Sequence, residues 1–364
     1  MKSLVTSIFI ALLALQMNAQ TPVATPTPPP DGDEVIKVDS RLVVVPVAVF
    51  DTDGKPVTAL TAKDFRLKEG GRPQELTQVT DAEKVPLEIA ILLDISASTG
   101  SMFQYQKETA ARFLQEVMNV GDKATIITIG NRPSMVASHV DAEAAGEALR
   151  SIEPTKERTA FFDGVGAAAD FLMKNSSEAT RRAVLVISDG DDTNSSGVLR
   201  AIFEAEGRLV RGNTTEEELR KLRYAARESA KLGEQRKVSR VLQDADAVFF
   251  SINTLGAALQ LNQSAAFGQS NLERFATDTG GSFFIPKFEP TNLKDKIQNE
   301  YNERKNRDTL SGIFRQLTVE LRSQYLLQDY SDGDHPAGKF VDLKIELTEG
   351  TGRKIRSRKG YFAK

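Results

Sequence analysis

The sequence predicts an α/β protein in which a doubly wound, mostly parallel sheet is inserted into a small β domain built from both ends of the chain. Three observations carry this prediction. From Leu87 onward, short apolar runs alternate with amphipathic helical stretches, the pattern of a sheet covered by helices on both faces. The first of those runs, Leu87–Asp94, is apolar almost throughout, as a strand buried on both faces must be. Two β-rich stretches, residues 35–84 and 318–364, flank the alternating region, and each is too small to bury a core alone.

Taken in order, the chain opens with Lys2, an apolar run from Leu4 to Met17, and a cleavage-type ending at Ala19. Residues 1–19 therefore read as a signal peptide, too short for a membrane span, and predict export in a bacterium, to the periplasm or beyond. Residues 20–34 read as a Pro-rich extended linker. In the 35–84 segment, Arg41–Phe50 is a β-branched strand, Asp51–Val57 a hairpin turn, and Leu60–Gly71 a further strand and turn. Asp51, Asp53 and Gly54 belong to that turn, because the calcium-loop pattern they partly match is incomplete.

Residues 85–290 are the α/β domain. Strands are expected at Leu87–Asp94, Ala124–Gly130, Ala183–Ser188, Ala247–Asn253 and, more weakly, Gly281–Ile285. Met135–His139 fits a short antiparallel edge strand. Helices are expected near Ser101–Val120, Phe162–Asn175 and Leu272–Asp278. The longer crossover Leu199–Asp246 has a capping-box spacing at Thr215 and Glu218, with Glu216–Arg220 and Glu217–Lys221 as pairs four apart, and reads as a solvated helix. Residues 291–317 form a connecting helix with Ile297, Tyr301 and Phe314 facing inward. Strands return at Val319–Tyr330, Phe340–Thr348 and Lys354–Phe362, and the 318–364 segment is expected to pair with 35–84 in one sheet domain.

Composition narrows the function classes. The net charge of −3 leaves no nucleic-acid footprint. With no cysteine, disulfides and thiolate metal sites are impossible, and His139 and His335 are too few for a histidine zinc cluster. There is no Walker loop and no Gly-x-Ser-x-Gly elbow.

The chemistry-bearing residues lie at strand ends. Leu87–Asp94 runs into Ile95-Ser96-Ala97-Ser98, so Asp94, Ser96 and Ser98 offer a carboxylate and two hydroxyls from one strand-to-helix loop. Thr159 lies in a loop just before a helix, and Asp189 follows the apolar run Val184–Ser188. Carboxyl ends of parallel strands share one edge, so the three loops converge there. Hard oxygen donors suit Mg²⁺, Mn²⁺ or Ca²⁺ and not zinc. Two carboxylates balance one divalent cation, and neutral hydroxyls add geometry without adding charge. Nearby, Asp191, Asp192 and Asn194 read as a solvated loop and Asp163 as the cap of the helix after Thr159. Gly280-Gly281 reads as a helix stop, and His139 has no site role.

Asp94, Ser96, Ser98, Thr159 and Asp189, in that order and context, resemble the von Willebrand factor A domain and its metal-ion-dependent adhesion site. The stretches LTAKDFRLKEGGRPQ, LERFATDTGGSFF and RKGYF are similar to exported von Willebrand factor A-related proteins of acidobacterial type. Glu157 and Arg158 stand where that family usually carries small residues. The resemblance implies an exported adhesion-type module, not an enzyme. Its cation, Mg²⁺ first with Mn²⁺ or Ca²⁺ as alternatives, would take a Glu or Asp carboxylate of a protein partner. Asp94 and Asp189 would act partly through water. The alternative is an envelope component with a structural metal. A hydrolase using Ser96 or Asp94 as nucleophile is disfavoured, because no histidine or lysine base lies in these loops.

Overall fold

The computed structural model describes residues 41–96, 102–177, 179–209, 215–256, 262–291, 293–331, 335–349 and 352–363. The signal-peptide and linker readings, and Ser98, lie outside the described residues.

The N-terminal segment gives β1 (Arg41–Phe50), β2 (Phe65–Glu69), β3 (Arg72–Gln74) and β4 (Gln78–Asp81). The central region gives β5 (Leu87–Asp94), α1 (Phe103–Val117), β6 (Lys123–Ile129), β7 (Pro133–Val140), α2 (Ala142–Ser151), α3 (Phe161–Asn175), β8 (Arg181–Ile187), α4 (Ser196–Leu209), α5 (Glu216–Asp244), β9 (Ala247–Ile252), α6 (Gln263–Thr279) and β10 (Phe283–Phe284). The chain then forms α7 (Lys296–Arg322), β11 (Tyr325–Ser331), β12 (Phe340–Leu347), β13 (Lys354–Ser357) and β14 (Gly360–Phe362).

The central sheet has the order β10-β9-β8-β5-β6-β7 and is parallel except for β7, the antiparallel edge. Every residue of β5 is buried. Alternation along β5 splits its side chains between two cores. Leu87, Ile89, Ile91 and Leu93 pack with α1, α2 and α7, whereas Ala90 and Leu92 pack with α3, α5 and α6. Burial on both faces is why the run lacks a polar alternation.

The terminal segments pair with each other as expected, and they do so in two sheets, β13-β1-β11-β4 and β14-β12-β2-β3. Each sheet takes strands from both ends of the chain. Val43, Val45, Val47 and Val49 of β1 share one apolar core with Phe65, Leu67, Leu343 and Ile345, so a second layer is what lets these short strands bury a face. Pairing of β1 with β13 begins at Val47, one residue past Pro46, which has no N–H to donate.

Other expectations needed correction. Helix α7 runs to Arg322, past the strand expected from Val319, because Leu310, Phe314, Leu317 and Leu321 continue a helical stripe into the core. Ile297 and Tyr301 do not face inward: they are 80% and 59% exposed. The first turns of α7 instead dock through amides, with Asn302 Nδ2 donating to Pro290 O at 2.7 Å and Asn306 Nδ2 to Glu289 O at 2.9 Å. Helix α6 starts at Gln263, well before Leu272, behind Asn262, whose side chain accepts from Ala265 N at 2.8 Å. The Leu199–Asp246 crossover holds two helices, and α5 is solvated on only part of its surface: Lys231, Gln235, Val238 and Leu242 are buried. Its capping box at Thr215 and Glu218 and the Glu217–Lys221 pair are present.

Helix α6 ends at Gly280, whose φ of +83° is left-handed. A Cβ there would lie 2.5 Å from the Ser357 backbone, so only glycine lets β13 approach. This joins the TDTGG and RKGYF stretches: Lys359 N and Nζ both donate to Asp278.

Candidate metal centre

Strand register delivers the site. Asp94 is the last residue of β5, and Leu93 pairs with Ile187 of β8, so Asp94 and the Ser188-Asp189 turn leave the sheet side by side. Backbone bonds then close a ring of loops. Ile95 N donates to Ile129 O at 3.1 Å, Ala160 N to Gly130 O at 2.8 Å, and Thr193 N and Asn194 N to Thr159 O at 2.9 and 3.0 Å. Ser188 Oγ completes the ring with a 2.7 Å bond to Asp94 Oδ2. Asp94, Thr159 and Asp189 thus stand on adjoining loops at the carboxyl edge, at 1%, 6% and 9% exposure, with Ser96 buried beside Asp94.

Asp94 is the electrostatic centre. Burial pushes its carboxyl above the usual carboxylate range, opposed by hydrogen bonds from the Ser96 side chain and amide and from Ser188. The Ser96 amide lies 2.9 Å from Oδ1. These donors are neutral, and no Lys, Arg or His among the described residues forms an ion pair with Asp94. No cluster of three or more His, Asp or Glu able to hold a metal occurs among the described residues, so hydroxyls have to complete any cation shell here. The donor chemistry fits a hard divalent ion, which would supply the positive charge that this buried carboxylate lacks.

Three neighbouring acids differ from their sequence readings. Asp192 is not a solvated loop residue: it is 0% exposed and accepts from Phe162 N and Ser195 N, both at 3.0 Å. Burial raises its pKa as well, against the opposing Ser195 and Phe162 hydrogen bonds. Asp163 does not cap the helix after Thr159. That helix starts at Phe161 behind Ala160, and Asp192 accepts from its Phe162 amide while Ser195 Oγ accepts from Asp163 N. Asp163 instead accepts from Ser196 N at 2.8 Å, at the start of α4. Asp191 pairs with buried Lys231 at 2.8 Å. The Glu157 carboxylate accepts from Asn131 N at 2.9 Å, which ties the Thr159 loop to the loop after β6.

Asp189 is followed by Gly190, at φ +78°, and a Cβ there would meet Gly268 O at 2.4 Å. Glycine lets α6 press against the turn that carries Asp189. Ser188 is the contact that sequence reasoning missed. Aligning the ends of β5 and β8 would have found it, because a hydroxyl directly after the strand must meet Asp94.

Residues 89–191 match the family model of the von Willebrand factor type A domain. No curated protein matches the chain. Similar solved structures include proximal thread matrix protein 1 from the mussel byssus, at 14% identity and TM-score 0.41, covering 70% of this chain and 50% of that one. The chain thus spans about half the length of the mussel protein. The PilB minor pilin from Streptococcus sanguinis is 11% identical at TM-score 0.42, with 65% and 62% of the two chains covered. The conserved hypothetical protein BatB from Bacteroides thetaiotaomicron is 16% identical at TM-score 0.36, with 64% and 97% covered.

Proposed function

The chain carries a von Willebrand factor type A domain, and on that premise we propose that it is an exported, non-catalytic binding module that captures an acidic side chain of a protein partner through a divalent cation. The observation that supports this is Asp94: a fully buried carboxylate at the carboxyl edge of a parallel sheet, met among the described residues by neutral donors, with Thr159 and Asp189 on adjoining loops. Asp94, Ser96, Ser98, Thr159 and Asp189 would hold the cation, Mg²⁺ before Mn²⁺ or Ca²⁺. Bound there, it supplies an electrophilic position for one further anionic oxygen.

The rest is done by the chain. Asp94 and Asp189 provide two negative charges, enough to retain a divalent ion without repelling an incoming carboxylate. The hydroxyls of Ser96, Ser98 and Thr159 add oxygen without charge. The backbone ring from Ile95 through Gly130, Thr159 and Thr193 ties together the strand and helix ends that carry Asp94, Thr159 and Asp189.

The test combines cation titration with partner capture. Calorimetry should show one Mg²⁺ or Mn²⁺ site, and envelope protein retained on immobilised chain with Mg²⁺ should be released by EDTA while circular dichroism stays unchanged. Absence of a cation site, or retention indifferent to EDTA, rejects the reading.

A further inference from the structure

At the opposite, amino-terminal edge of the central sheet lies a cleft of about 800 Å³ between that sheet and the β1–β11 layer. Its size falls within the roughly 300–1,000 Å³ of small-ligand sites, which favour such boundaries between packed units. One wall is apolar, with Val44, Pro46 and Leu326 opposite Leu87, Met173 and Val248. The other carries Arg181, Arg182 and Arg358 with Ser176.

The polar wall is built, and it is incompletely paired. Arg182 Nη1 donates to Ala245 O at 2.9 Å and Nη2 to Ser176 O at 3.2 Å. Arg358, 6% exposed, pairs with Asp246. Both arginines therefore converge on the Ala245–Asp246 turn, where Asp246 takes a left-handed φ of 51°. Yet Arg182 Nε, Arg358 Nε and Ser176 Oγ are buried donors without a partner among the described residues. Buried donors left unpaired are destabilising, so a site that keeps three together is matched to something that accepts from them.

Charge points the same way. Arg181 and Arg182 spend their N–H groups on carbonyls, which satisfy hydrogen bonds but cancel no net charge. Asp246 offsets Arg358, and Asp122 and Glu83 act on Arg181 from outside the cleft lining. Arg182 is left without an acidic partner among the described residues.

We propose that this cleft binds a small amphipathic carboxylate, its anionic head accepting from Arg182, Arg358 and Ser176 and its apolar tail lying along Val44, Pro46 and Leu326. The site is independent of the cation centre, so its test can be run in EDTA.

The probes are decanoate, decyltrimethylammonium and acetate, titrated calorimetrically into the full chain. Decanoate should bind at one saturable site at least tenfold tighter than the other two, because only it satisfies both walls. Its binding should shift the ¹³C-methyl resonance of Met173 and leave those of Met102, Met118 and Met135 in place. Arg182→Gln should weaken decanoate at least tenfold, and the milder Ser176→Ala about threefold. The proposal is overturned if decanoate does not saturate, if decyltrimethylammonium binds equally well, if the Met173 methyl does not move, or if folded Arg182→Gln binds unchanged. Any of these means the orphaned donors are met by water only. If Arg182→Gln does not fold, the three-probe comparison and the Met173 resonance decide on the unaltered chain.

Discussion

The two edges of the central sheet are electrical opposites. At the carboxyl edge, acids meet helix N-termini: Asp192 accepts from Phe162 N in α3 and Asp163 from Ser196 N in α4. At the amino edge, arginines meet helix C-termini: Arg182 donates to the carbonyls of Ser176 and Ala245, which end α3 and α5, and Arg181 to Leu321 O near the end of α7. Parallel winding turns the N-termini of the return helices toward one edge and their C-termini toward the other, which favours acids on the first set of helix ends and cations on the second. Helix α2 tests the rule, because it follows antiparallel β7. Its terminal carbonyls, Arg150 O and Ile152 O, are met by Lys107, a buried cation from α1.

Two buried acids sharpen the contrast. Glu320, fully buried near the amino edge, has Arg356 at 3.1 Å and the Ser282 hydroxyl. Among the described residues, Asp94 has two hydroxyls and an amide. The first is a finished ion pair between α7 and β13, and the second has no ion-pair partner among the described residues.

The largest effect that could break this picture comes from Asp192→Ala. Removing the carboxylate orphans Phe162 N and the Ser195 donors, and should destabilise the fold by about 2–4 kcal/mol in denaturant unfolding. A loss below 1 kcal/mol would mean that water replaces it and that the acid does not anchor the helix start.

Thr159→Asp comes next. A third carboxylate should keep or tighten cation binding yet compete with the partner's own, weakening Mg²⁺-dependent capture about a hundredfold, ~2.7 kcal/mol. Thr159→Ser should be close to silent. A Thr159→Asp chain that still holds its partner through Mg²⁺ would leave only a structural role for the metal.

Asp189→Ala should weaken Mn²⁺ binding at least tenfold, ~1.4 kcal/mol, without loss of fold, since its side chain lies beyond the end of β8. Unchanged calorimetric affinity removes Asp189 from the site.

The smallest effect is in pH. Burial raises the Glu320 pKa in the folded state, with Arg356 and Ser282 opposing. The folded state therefore holds this proton to higher pH than the unfolded chain does. Its contribution is fully present below the unfolded value, near 4.5, and is lost as pH rises through the folded one. Stability of the native chain relative to Glu320→Gln should fall across that window by no more than about 1.4 kcal/mol per pH unit. A difference that rises with pH there would mean Arg356 outweighs desolvation.

How much was legible followed the range of the interactions. Asp94, Thr159 and Asp189 could be read because each closes or opens a local element: an apolar run stops, or a helical period begins. The ends of α6 and α7 were missed where tertiary packing, not periodicity, sets the boundary. Asn302 and Asn306 dock the start of α7 through polar groups that leave no apolar stripe, which is why Ile297 and Tyr301 misled.

By itself the sequence determined the alternation of strands and helices, and with it the edge at which Asp94, Thr159 and Asp189 would emerge. These follow from periodicity, which acts between residues a few positions apart. Tertiary structure alone decided that Ser188, 94 positions away, would hold Asp94, that Asp192 would cap a helix begun 30 residues earlier, and that the termini would interleave in two sheets. It also decided that three arginines would meet over one cleft. Hydrogen bonds and ion pairs carry no period, so their partners are chosen only when packing brings distant strand ends together.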